Sequence, residues 1–287
     1  MVKDLIMLEI GKFNHLKVKR ATRHGAYLTD EQGNEALLPV KFVSETLRLE
    51  DKINVFIYTD SEDRVTATTQ VPIAQRDEFA YLKVKDTSVH GAFLDWGLDK
   101  DLFVPFREQL DRMRKGESYL VYLYLDEKTN RLAASSKIKK FLDNKRIEIE
   151  RGEKVKLLVW NKTDLGMNVI INNRYAGLIF KDDLHTTIQT GDKITGYIKN
   201  IRPDNKIDVV LQKPGYEAIE PNAQRILLKI RQNDGYLNLN DNSDPEEIKN
   251  QLHVSKKAFK KAIGILYKKK LIRITDEGLY LADQVKK

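Results

Sequence analysis

Apolar and polar residues alternate one by one along Leu16-Lys17-Val18-Lys19 and again along Leu82-Lys83-Val84-Lys85. A period of two is that of a strand with one buried face. Leu16, Val18, Leu82 and Val84 are therefore predicted inside, and the four lysines in water. Nine residues after each leading leucine stands a glycine, in His24-Gly25-Ala26-Tyr27-Leu28 and in His90-Gly91-Ala92-Phe93-Leu94. Leu157 and Val159 precede a third glycine, Gly166, at the same spacing. Fourteen residues beyond the three glycines come Pro39, Pro105 and Phe180, and twenty-five beyond come Glu50, Gly116 and Gly191. Each copy closes on a polar turn and one more strand, TDSEDRVTATT, LDEKTNRLAAS and RPDNKIDVVLQ, the first turn being one residue shorter. Three landmarks in register over three copies mark an internal repeat.

Each copy spans about sixty residues and reads as five short strands punctuated by glycine and Asp/Asn turns. A sheet that small leaves exposed edges unless it closes, so each copy is predicted to be a barrel. A glycine inside a strand marks a bulge or a sharp bend, and the three glycines are expected to supply one. The motifs Gly-Ala-Tyr/Phe-Leu at Gly25 and Gly91, Gly-Leu-Ile-Phe at 177–180 and Gly-Asp-Lys-Ile at 191–194 resemble those of S1-type RNA-binding domains, a branch of the OB fold. Ala36 and Leu102 stand where the second glycine of that pattern falls.

The period changes after QKPGYEAIEPN, where Pro214, Gly215 and Pro221 mark a linker. PNAQRILLKIRQ reads as a helix and GYLNLND as a short strand. Asp244 with Pro245 opens a second helix, and Ser255 caps a third, KKAFKKAIGILYKKK. LIRITDEGLYLA reads as a hairpin. This order of elements resembles a winged helix. The fold class expected is mainly β with a small α+β domain: three tandem S1-type OB-fold barrels followed by a winged helix. The boundaries are 1–70, 71–146 with a following helical linker, 147–214 and 220–287. Three S1-like copies before such a domain resemble the bacterial conserved virulence factor B family over nearly the whole chain.

Charge narrows the partner. The net charge is +8, which favours an anionic partner. Residues 221–287 carry fourteen Lys and Arg against eight Asp and Glu, so most of the surplus lies there. The chain has no cysteine, which excludes disulfides and thiol chemistry and fits a reducing cytosol. The N-terminal MVKDLIMLEIGKFNHLKV is too interrupted by Asp4 and Glu9 for a leader, and no stretch approaches the ~20 apolar residues that span a bilayer. The reading is a soluble cytoplasmic monomer. The five histidines show no metal-ligand spacing, no nucleotide-binding or nucleophile motif occurs, and no cofactor is implied. The chain is therefore read as a non-enzyme.

Single-stranded nucleic acid is held by aromatic platforms and cations along its backbone. The S1 resemblance places one aromatic two residues after the repeat glycine, at Tyr27 and Phe93, with His24 and His90 where such domains carry another. Alternation agrees: with Ala92 and Leu94 inside, Phe93 faces out. Arg64, Arg131 and Lys206 occupy equivalent places in the last hairpin of each copy, where a cation meets phosphate. Lys17, Lys19, Lys83 and Lys85 are further cation candidates, although lysines at such positions are more often solvated strand residues. The third copy has Asn168 at the aromatic position and Leu165 at the histidine position; Trp160, Tyr175 or Tyr197 could replace the platform. Lys256, Lys257, Lys260 and Lys261 cluster on the third helix, the one that enters a groove in winged helices. Without arginine there, backbone contact is expected rather than base reading; a solvated amphipathic face explains the same lysines. The partner expected is single-stranded RNA, with DNA and ribosome-associated RNA as further candidates, and the role implied by the family is post-transcriptional control. Two rivals are a winged-helix DNA-binding regulator and a protein-interaction scaffold.

Overall fold

The computed structural model describes residues 8–184, 186–212 and 221–282. Outside the described residues lie 1–7 of the stretch weighed as a leader, His185, Pro214 and Gly215 of the expected linker, and Lys286 and Lys287 of the C-terminal charge count. The chain divides into two compact units between Val209 and Val210.

The first unit holds three closed five-stranded barrels of one topology. The first barrel comprises β1 (Phe13–Thr22), β2 (Gly25–Thr29), β3 (Glu35–Pro39), β4 (Lys52–Thr59) and β5 (Val65–Thr68), in spatial order β1-β2-β3-β5-β4. The second comprises β6 (Phe79–Thr87), β7 (Gly91–Asp95), β8 (Leu102–Pro105), β9 (Ser118–Asp126) and β10 (Arg131–Ser135). The third comprises β11 (Lys154–Lys162), β12 (Gly166–Ile171), β13 (Tyr175–Phe180), β14 (Lys193–Ile201) and β15 (Ile207–Val210). Alternation puts Leu16, Val18, Leu82 and Val84 inside at 3% exposure or less, as predicted.

The repeat glycines serve a different purpose from the one expected. The bulge lies on the neighbouring strand, between Val18 and Arg20, Val84 and Asp86, and Val159 and Asn161. The glycines instead let two strands approach. Gly25 pairs with Pro39, Gly91 with Pro105 and Gly166 with Phe180, so the landmark fourteen residues on is the cross-strand partner. A Cβ at these glycines would lie 2.0, 2.2 and 2.0 Å from the carbonyl oxygens of Leu38, Val104 and Ile179. No side chain fits there. The landmark at twenty-five is also structural: the amides of Glu50, Gly116 and Gly191 donate to the carbonyls of Val18, Val84 and Val159, closing each barrel across the bulge.

Aromatic contacts join the barrels. Phe13 and Phe56 meet edge to face at 5.5 Å, and Phe56 meets Trp96 of the second barrel at 5.6 Å. Phe79, Leu120 and Ile138 pack against Leu158 and Ile170 of the third barrel. Burying one such side chain contributes about 1.5–3 kcal/mol. The helical linker expected after the second barrel is one 3-10 turn, Ile138–Phe141. Helix propensity loses here to anchoring: Ile138 is buried, and Phe141 stacks on Tyr122 at 4.0 Å. The Asn144 amide then donates to the Ala176 carbonyl at 2.9 Å.

The second unit has the predicted order: α1 (Pro221–Gln232), β16 (Tyr236–Leu237), α2 (Pro245–Leu252), α3 (Lys256–Lys268), β17 (Ile272–Thr275) and β18 (Gly278–Leu281). Phe259, Ile263 and Leu266 of α3 share a core with Ile226 and Ile230 of α1. The Asp244 carboxylate accepts from the Glu246 amide at 2.8 Å, and Ser255 Oγ from the Ala258 amide at 3.2 Å. Asp244→Ala is expected to lower the stability of this unit by about 1 kcal/mol, read as an earlier denaturant midpoint. An unchanged midpoint would show that the cap carries no weight. No described helix is long and apolar enough to cross a membrane.

Candidate nucleic-acid interface

Register sets one lateral row of side chains across the outside of each barrel. In the second barrel Phe93 pairs with Phe103, Phe103 with Ala133, and Ala133 with Tyr124. Phe93 is half-buried while Ala92 and Leu94 are inside, which is the predicted orientation. Its ring lies 5.2 Å from that of Phe103. Together they form an apolar platform bordered by the exposed hairpin tip carrying His90. Phe103 was not among the candidates, although the Gly91–Pro105 spacing already implies it: two residues inward from each end are Phe93 and Phe103. Tyr124 continues the row, with burial holding its hydroxyl pKa up at about 12.

The first barrel repeats the row with Tyr27, Leu37, Thr66 and Tyr58. Here the Arg20 guanidinium lies 3.8 Å above the Tyr27 ring. Arg20 and Lys19 both pair with Glu35, at 2.7 and 2.8 Å, and hydrogen bonds from Lys19 and then Arg20 hold the Glu35 carboxyl below its usual range. The corresponding place in the second barrel is Asp86, which pairs with Lys115 at 3.2 Å, and among the described residues no cation lies over the Phe93 ring. In the third barrel the row is Asn168, Leu178 and Asp208, with Arg202 paired to Asp208 at 2.9 Å. Phe180 lies half-buried on the same side of β13 as Leu178, with the Arg202 guanidinium 5.3 Å from its ring centre.

The other candidates disperse. His24 is exposed on its hairpin tip and accepts at Nε2 from Arg23. Arg64 pairs with Asp60 at 2.8 Å, Lys206 with Asp204 at 2.6 Å, and Lys85 with Asp101 at 2.9 Å. Arg131 forms a two-point ion pair with Asp63 in the last turn of the first barrel. Lys17 pairs with Glu50, whereas Lys83 is exposed without an ion pair among the described residues. One replacement weighed for the third platform, Tyr175, is corrected. Tyr175 is 2% exposed and receives the Glu148 amide at its hydroxyl, so no base can reach its ring. Trp160 occupies the bulge position, equivalent to Lys19 and Lys85, and packs against the seam between the second and third barrels. Tyr197 is half-buried on β14. On α3, Lys257, Lys260 and Lys261 are exposed, and Lys256 donates to the Asn242 carbonyl at 3.3 Å. Among the described residues no group of three His, Asp or Glu could hold a metal ion.

Residues 10–70 and 78–137 match the S1 domain family, and residues 224–281 match the CvfB-like winged helix domain. Both are nucleic-acid-binding types of domain. The chain is 27% identical over 262 residues to the uncharacterized protein YitL of Bacillus subtilis (strain 168), spanning 88% of this chain and 87% of that one. It is 24% identical to conserved virulence factor B of Staphylococcus epidermidis (strain ATCC 12228 / FDA PCI 1200) over 92% of each chain. A solved multidomain protein with nucleic acid binding domains from Streptococcus pneumoniae is 22% identical, over 95% of this chain and 98% of that one, with a TM-score of 0.45.

Proposed function

Because the chain belongs to the conserved virulence factor B family, we propose that it is a non-enzymatic, cytoplasmic protein that binds single-stranded RNA and regulates gene expression after transcription. The observation that carries the reading is the Phe93–Phe103 platform: two neighbouring rings on an outer barrel face, 5.2 Å apart, with no cation among the described residues stacked over Phe93. Every base presents a π-face, and stacking on an aromatic contributes about 1–3 kcal/mol per base. Single strands expose those faces and duplexes hide them, which favours a single-stranded partner. The cations Arg64, Lys85, Arg131 and Lys206 of the barrel ion pairs are exposed, so their pairs contribute little and the cations can re-pair with phosphate. Several weak modules on one chain raise affinity through effective concentration.

The test is competition. A labelled single-stranded RNA bound to the full chain is expected to be displaced by unlabelled single-stranded RNA and far less by duplex DNA of equal length. Equal displacement by duplex DNA would move the function to the winged helix, whose α3 has exposed lysines and no acidic residue. Absence of any complex at low salt would leave the scaffold reading.

A further inference from the structure

We propose that the outer face of β11 and β14 on the third barrel is a second contact surface for single-stranded RNA, gripping its phosphodiester backbone through Lys154, Lys156 and Lys193. This rests on the RNA reading above and adds a surface away from the aromatic row.

The repeat makes the face visible. The strand pair at its centre is β1–β4, β6–β9 and β11–β14 in the three barrels. One cross-strand pair on it is Phe13–Phe56 in the first, Phe79–Tyr122 in the second and Lys154–Tyr197 in the third. In the first two barrels these aromatics are covered: Phe56 by Trp96, and Tyr122 by Phe141. The third barrel keeps the tyrosine and replaces its phenylalanine partner by Lys154. The neighbouring register pairs are Lys156 with Thr195 and Leu158 with Lys193. A face built to be buried by packing has become one that carries charge into water.

Its electrostatics are one-sided. Lys154, Lys156 and Lys193 are exposed, and none forms an ion pair among the described residues. This contrasts with Arg64, Lys85, Arg131 and Lys206, which are all paired to carboxylates of the barrels. The three lysines border a cleft of about 1000 Å³ at the seam with the second barrel, in which Glu78 is the one acidic residue among the described residues. Thr195, Asn172 and Asn173 also line the cleft, the Asn172 side-chain carbonyl accepting from the Lys156 amide and the Asn173 side-chain amide bridging the Phe79 amide and the Asp77 carbonyl. Lys154 and Lys156 project from one side of a strand two residues apart, about 6.6–6.8 Å, a separation commensurate with neighbouring phosphates of an extended strand. The set favours a flexible polyanion: lysines act as point charges toward phosphate, and no arginine fork is present to read a planar group.

The measurement is the salt dependence of RNA affinity in the full chain. Each phosphate contact on a single strand contributes a slope of about −0.7 in log K against log salt. Lys154→Gln/Lys156→Gln/Lys193→Gln is expected to make the slope shallower by about 2 and to weaken binding about 100-fold at 0.1 M salt. Arginine at the same three positions is expected to restore both. Arg48→Gln/Lys52→Gln on the first barrel should leave the slope within about half a unit, because neither residue lines the proposed face. A triple variant with wild-type affinity and slope overturns this surface and leaves the RNA reading intact. A wild-type chain that fails to bind RNA at low salt overturns both. Polyglutamate displacing RNA from the wild type as well as RNA itself does, but not binding the triple variant, would assign the face to an acidic protein instead.

Discussion

Phe93→Ala/Phe103→Ala lowers affinity for single-stranded RNA by at least about 30-fold while leaving the salt slope unchanged. The two rings neighbour each other across β7 and β8, and each stacked base contributes about 1–3 kcal/mol, so losing both costs about 2 kcal/mol at the least. Neither substitution removes a charge, so the number of released counterions stays the same. Both rings lie half-buried on the outside of the barrel, over a core completed by Leu94, Leu102 and Val104. The double variant therefore keeps its fold, which a wild-type thermal transition checks. Tyr27→Ala has a smaller effect, because Arg20 already covers one face of that ring and its planar guanidinium remains as a stacking surface. Fluorescence anisotropy at fixed salt decides the matter. A correctly folded double variant that binds within about twofold of wild type removes the platform from the proposed function.

Gly166→Ala disrupts the third barrel, at a cost of about 4 kcal/mol or more. Its Cβ would lie 2.0 Å from the Ile179 carbonyl oxygen, and backbone cannot rotate aside as a side chain can. The glycine also sits at φ +153°, where an L side chain is strained. Gly152→Ala is the matched control: its φ is +86°, but open space surrounds the position. There only the left-handed backbone is penalised, by about 1 kcal/mol. Urea unfolding followed by tryptophan fluorescence separates the two, since Trp160 reports the third barrel and Trp96 the second. Equal losses for the two variants would show that the close approach of β12 and β13 does not require glycine.

Much of the fold was legible because strand periodicity and turn chemistry are local. Alternation of Leu16 and Val18 with lysine placed one barrel face, and Asp244, Pro245 and Ser255 announced two helix starts. The landmark fourteen residues beyond each glycine held more than was read from it. It is a register, and register names Phe103 as the neighbour of Phe93. Phe103 was missed because a pattern of positions was not converted into cross-strand pairs. Tyr175 misled for the opposite reason: an aromatic on a strand looks the same whether it meets water, a neighbouring barrel or the core. The bulge could not be located either, since its extra residue is Lys19, Lys85 or Trp160, with no shared chemistry.

Spacing, composition and capping determined from the sequence alone that three barrels precede a small α+β domain, that the chain is basic, and, through the alternation around it, that Phe93 faces outward. The tertiary structure decided which of these groups remain available. Arg131 is held by Asp63 of another barrel, Tyr27 lies under Arg20, Trp160 lies in a seam, and Lys154, Lys156 and Lys193 are left facing water. The physical reason is one of range. Secondary structure and facing follow from bonds and side chains a few residues apart, whereas the use of a charge or ring depends on partners brought close only when separate segments pack.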